Sequence, residues 1–100
     1  MLTNEQCELI KKRLLSLRDD INRNYREGFG GFLLIIPLDD PSMIELIENN
    51  LINVCIQIRE ILENSLDLDV QGVGPLDGLP RILSVSWPKH HRRSLLPAAE

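Results

Sequence analysis

Five consecutive apolar residues, Phe32-Leu33-Leu34-Ile35-Ile36, stand between the breaker cluster Gly28-Phe29-Gly30-Gly31 and Pro37. A membrane span needs ~20 apolar residues. An apolar run this short, closed by breakers at both ends, reads instead as a strand buried on both faces. Residues 32–36 are therefore expected to form a central strand, and the flanking chain must supply the layers that cover it.

The flanking chain is patterned for helices. In residues 3–25, Cys7, Ile10, Leu14, Leu17 and Ile21 recur at steps of three and four, which places them on one stripe of a single long amphipathic helix. Its start is marked by Thr3-Asn4-Glu5-Gln6, a capping box, with Leu2 positioned to staple onto Cys7. Leu9 and Leu15 widen the apolar side, while Lys11, Lys12, Arg18 and Asp19 occupy the other. The glycines that follow supply the positive φ with which helices end, and suggest a flexible hinge into the strand. A second helix starts near residue 41, from either Asp40-Pro41 or a box over Ser42-Met43-Ile44-Glu45. Ile44, Ile47, Leu51, Val54, Ile58 and Ile61 form its stripe, and Ile52, Cys55, Ile56 and Leu62 add apolar surface on other sides. A helix apolar over most of its circumference is central in a fold or shared with a partner.

Two further strands are expected. Leu66, Leu68 and Val70 alternate with Asp67, Asp69 and Gln71, the pattern of a half-exposed strand over residues 66–73. Glycines and prolines then mark residues 72–80 as a loop. Leu83, Val85 and Trp87 alternate with Ile82, Ser84 and Ser86 until Pro88 ends the last strand. The fold class is α+β, two long amphipathic helices on one face of a sheet of about three strands, in the order α-β-α-β-β. The middle strand–helix–strand unit would make a right-handed parallel crossover, and the last two strands would pair antiparallel; the alternative is a helical hairpin with extended arms. Residues 1–88 form one domain, and 89–100 a basic C-terminal tail.

The chain has 100 residues, 43% of them hydrophobic but only four aromatic, so there is room for one core and it must be mainly aliphatic. Cys7 and Cys55 lie far apart within apolar patterns and read as buried reduced thiols, which favours a reducing, cytoplasmic setting. The first residues lack the basic start and apolar run of a secretory leader. Charge is unevenly spread. Residues 1–27 carry six basic and five acidic side chains, residues 28–77 carry nine acidic ones against Arg59 alone, and residues 78–100 carry four basic ones against Glu100. A general nucleic-acid binder would show a dominant basic face.

Candidate sites are each matched by a plainer reading. Gly28-Phe29-Gly30-Gly31 resembles a phosphate loop only in composition: it follows a helix and opens a strand, the reverse of the required order. Asp67-Leu68-Asp69-Val70-Gln71-Gly72 matches the first half of a calcium loop, but Gly78 stands where a bidentate Glu is needed, so a solvated strand face explains it better. His90 and His91 are adjacent without a nearby Cys, Asp or Glu, a poor metal set, and Ser84, Ser86 and Ser94 have no local acidic partner for a triad. Neither metal nor cofactor is expected. The sharpest feature is Lys89-His90-His91-Arg92-Arg93, with Trp87 and Arg81 upstream. Its plain reading is a solubilising terminus; its functional one is an anchor for an acidic protein surface or a phosphate, with Trp87 able to stack a ring.

These features lead to the expectation of a non-catalytic, self-associating module that binds a protein partner, acting away from membranes and nucleic acid. The interaction residues would be Arg81, Trp87, Lys89, His90, His91, Arg92 and Arg93. The alternative is a binder of an anionic metabolite or nucleotide, or a small enzyme, using the Gly28–Gly31 turn, Arg81 and the basic segment. Exposed ion pairs contribute only about 0–1 kcal/mol each. An Arg92→Ala, Arg93→Ala double mutant should therefore keep nearly all its stability in urea titrations. In pull-downs it should lose its partner, and wild-type binding should weaken with salt.

Overall fold

The computed structural model describes residues 2–36, 39–76 and 79–88, with backbone only for 79 and 80. Its elements are α1 (Asn4–Ser16), α2 (Arg18–Arg26), β1 (Gly31–Ile35), α3 (Pro41–Asn64), β2 (Gly72–Leu76) and β3 (Leu79–Ser86). The fold is α+β, with a three-stranded antiparallel sheet in the order β1-β3-β2. Helices α2 and α3 pack on this sheet, and α1 runs against α3.

Both expected helix starts are present. Thr3 and Gln6 form a reciprocal capping box, the Thr3 Oγ1 accepting from Gln6 N at 3.1 Å and the Gln6 Oε1 from Thr3 N at 2.9 Å. For α3, Asp40 is the cap, its Oδ1 accepting from Met43 N, with Pro41 in the first turn. The expected single helix over residues 3–25 is in fact two. Leu17 (φ −106°, ψ 9°) breaks it, and the Ser16 hydroxyl bonds back to the Arg13 carbonyl at 2.6 Å, a local competitor that bends helices. At the end of α2, Phe29 N donates to Asn24 O and Gly28 N to Tyr25 O, with Gly28 at φ 81°. That is a complete Schellman termination, which holds the turn in place instead of leaving a hinge.

The sheet corrects several strand expectations. Residues 66–71 are not a strand, although their alternation is real. Leu68 and Val70 are buried and Asp67 and Asp69 exposed, but Asp67 takes a positive φ of 56° that interrupts any ladder. The segment is held from α3 instead, where Arg59 Nη2 donates to Val70 O at 3.0 Å. The strand lies one step later, at Gly72–Leu76, inside what reads as a loop. β1 and β2 do run parallel to each other, yet β3 lies between them, so their crossover does not join neighbours. β1 is consequently an edge strand, not the central one, and only one of its faces is buried.

The register makes this one-sidedness explicit. Opposed residues of an antiparallel pair share a face. Phe32 and Leu34 of β1 oppose Val85 and Leu83, and Val73 of β2 also opposes Val85. These point into a core completed by Ile10, Leu14, Ile21, Ile47, Val54, Ile58, Ile61 and Leu62. Gly31 lies so close to β3 that a Cβ there would meet the Val85 carbonyl oxygen at 1.9 Å.

Helix α3 buries Ile47, Val54 and Ile58, as its stripe predicts, but Leu51 is only half-buried. The cause is a kink at Asn50 (φ −138°, ψ 36°), whose side-chain amide donates to the Leu46 carbonyl, the acceptor a regular helix assigns to the Asn50 N–H. Cys7 and Cys55 are free thiols, half-buried where full burial was expected. Removing most of a fully enclosed Ile side chain costs about 2–5 kcal/mol. Ile58→Ala should therefore lower the urea midpoint strongly, and Leu51→Ala clearly less; equal losses would show that the kink does not relieve Leu51 of its core role.

Candidate interaction surface

Among the described residues, one face of the sheet carries no helix. Leu33, Ile35, Ile82, Ser84 and Ser86 point there, opposite in sense to the buried Leu34, Leu83 and Val85. Leu33 is 49% exposed and Ile35 56%. Ile35 lies directly across from Ile82, and Leu33 two residues along the same strand, so the three form a contiguous apolar patch. Beside them the surface flattens over Gly31, Ser84, Ser86, Gly72 and Gly74, and a hollow of about 240 Å³ lies between Gly30, Leu33, Ser84 and Ser86. Scattered exposed apolar side chains are ordinary on a protein surface; contiguous ones have more to explain.

The two edges of the sheet differ. Ile36 N donates to Arg81 O and Trp87 N to Gly30 O, so the even-numbered residues of β1 face β3. Because bonding alternates along an antiparallel strand, the backbone groups of Gly31, Leu33 and Ile35 face outward. Arg13 of α1 reaches one of them, its Nη2 donating to Ile35 O at 3.0 Å. On β2, Pro75 occupies an outward-facing position where its missing N–H breaks no ladder bond, and the register shifts between Pro75 and Leu76. Proline and bulges blunt a sheet edge against further pairing. β2 has both, whereas β1 carries neither proline nor charge.

A second apolar area lies on α3, where Ile52 is 75% exposed and Ile56 51%, one turn apart. Between them Cys55 is half-buried, and burial pushes its thiol above the ordinary range, which keeps it protonated and a poor nucleophile at neutral pH. A further hollow of about 220 Å³ lies where the α3 kink meets α1, lined by Gln6, Leu9, Ser42, Glu45 and Asn50.

Of the residues singled out in the sequence, Arg81 is exposed on β3, while Trp87 has no exposed surface. Trp87 packs edge-on against Tyr25 with ring centroids 5.1 Å apart and stacks on Phe32 at 5.7 Å. Its ring faces are spent inside the core, because an apolar strand position one residue beyond Ser86 continues the buried side of β3. Lys89, His90, His91, Arg92 and Arg93 lie outside the described residues. The sheet patch has no distinct mark in the sequence. The alternating apolar signal that could have revealed it is hidden by the unbroken run 32–36, in which both faces of β1 are apolar.

Among the described residues, no three His, Cys, Asp or Glu side chains come together as a metal site, and no helix is long and apolar enough to cross a membrane. Trp87 is the only tryptophan, so its fluorescence reports on this core directly. Its emission should be blue-shifted and resist acrylamide, moving to the red on unfolding; strong quenching in the folded protein would show an accessible ring. No protein-family model, curated protein or solved structure matches the chain.

Proposed function

We propose that this chain is a small non-catalytic interaction module that self-associates and acts by binding another protein. The observation carrying this reading is the sheet face that no helix of the described residues covers, where Leu33, Ile35 and Ile82 adjoin in a single patch. Burying apolar area of this kind stabilises a complex by about 25 cal/mol per Å² before the costs of association are met. Ile52 and Ile56 on α3 supply a second apolar area, consistent with a helix whose apolar surface exceeds what its own core uses. The hollows over the sheet and beside the α3 kink, about 240 and 220 Å³, are smaller than the ~300–1,000 Å³ of small-molecule pockets. A protein surface suits the shallow sheet patch better than a small ligand does.

Sedimentation velocity across a concentration series tests the self-association. The expected result is a monomer–dimer equilibrium, with dimer present at tens of micromolar; a strictly monomeric species over that range opposes it. Thermal-shift measurements with nucleotides and acidic metabolites test the competing reading, since a ligand at a hundred times its dissociation constant adds about 2.7 kcal/mol. A clear shift would move the assignment to a small-ligand binder.

A further inference from the structure

The patch lies beside a strand edge that no other described strand covers, and the pattern of that strand says what can pair with it. Natural sheets blunt their edges with proline, bulges or charged side chains, because a bare row of N–H and C=O groups templates another strand. This protein does so on β2, through Pro75 and the register shift beside it. On β1 the sequence is Gly31-Phe32-Leu33-Leu34-Ile35, with no charge, no proline and two half-exposed large apolar side chains. Among the described residues, Arg13 reaches this edge at its last carbonyl, Ile35 O.

We propose that β1 pairs antiparallel with β1 of a second copy of this chain, across a two-fold axis at Leu33, to give one continuous six-stranded sheet. This rests on the self-association proposed above and names its surface. The outward-facing residues Gly31, Leu33 and Ile35 are spaced symmetrically about Leu33. A two-fold there sets Leu33 against Leu33, and Gly31 against Ile35 on both sides. Every outward N–H and C=O of the strand then meets a partner, about six ladder bonds in all. Side chains agree with this register. On the open face the bulky Ile35 lies across from Gly31, the one residue of the strand that offers it room, and Leu33 meets its own copy in the centre. On the covered face Phe32 opposes Leu34, and both are apolar. A carbonyl oxygen has two lone pairs, so Ile35 O accepts from Gly31 of the second copy while keeping Arg13. The same axis brings the end of β1 that carries the exposed Phe29 towards the Arg13 end of its copy, a combination suited to cation–π contact. It also places the two Leu33–Ile35–Ile82 patches side by side, forming one larger apolar surface for a further partner.

A second copy brings the same outward-facing residues to the edge, so the contact closes on itself across the two-fold. Face-to-face stacking of two sheets would hide the patches but leave the outward backbone groups of β1 bare.

Leu33→Pro removes one outward N–H without touching the bonds to β3, and Leu33→Lys sets two positive charges against each other at the axis. In sedimentation velocity each variant should raise the dimer dissociation constant about tenfold or more, with circular dichroism showing the fold retained. Should the proline variant fail to fold, the lysine variant decides, since its side chain is on the surface. Leu33→Cys tests register directly, because facing bonded residues lie about 5.5 Å apart between Cα atoms, within disulfide reach. Mild oxidation should cross-link it as a dimer, while Ile35→Cys, set against Gly31, and the wild-type protein with its half-buried Cys7 and Cys55 should not cross-link. A wild-type dimer that survives Leu33→Pro and Leu33→Lys unchanged, or that dissociates instead on joint Ile52→Lys, Ile56→Lys substitution, overturns the β1 seam and leaves self-association standing. A wild-type protein that stays monomeric overturns both.

Discussion

Three of the four aromatic rings in the chain meet at one point. Trp87 lies against Tyr25 from α2 and Phe32 from β1, so the end of β3, the neighbouring edge strand and the second helix are held by one apolar contact. Aromatic pairs in such geometries contribute about 0.5–1.5 kcal/mol beyond area burial. The Tyr25 hydroxyl extends the cluster to the 66–71 segment by accepting from Asp69 N. The rest of the core is aliphatic and non-directional. Large flat rings therefore do much to set how α2 and the sheet meet, and the helices lie on one face because the rings and the α3 stripe do.

This arrangement explains why only part of the architecture is legible in the sequence. Helix starts are written in a few residues that act locally, Thr3 with Gln6 and Asp40 with Pro41, and they appear where expected. Helix interruptions are not so written. Ser16 and Asn50 are ordinary surface-compatible residues, and what breaks or kinks the helix is a side-chain bond to a carbonyl three or four residues earlier. Nothing in an apolar period of three and four announces such a bond. The strands fail differently. Asp67 turns the alternating segment 66–70 off the sheet, and Gly72, Gly74 and Pro75 form a real strand because β2 lies at an edge, where missing side chains and a missing N–H cost little.

The candidate surface was hidden by the same ambiguity. An unbroken run such as 32–36 has two readings, a central strand covered twice or an edge strand with an apolar outer face, and composition does not separate them. Only the position of β3 does. Trp87 shows the converse, since a tryptophan next to a basic cluster looks like a stacking platform until its alternation with Ser86 and Val85 is followed through to the buried side.

Pro75 has a consequence beyond its own strand. A sheet able to accept strands at both ends grows without limit, and growth of that kind is how soluble domains become fibrils. With β2 blunted, β1 is the edge left for pairing among the described strands. The β1 pairing proposed above would use that edge in both molecules at once, so the continuous sheet would end at six strands. Pro75, which contributes little to the core, would then set the length of that sheet.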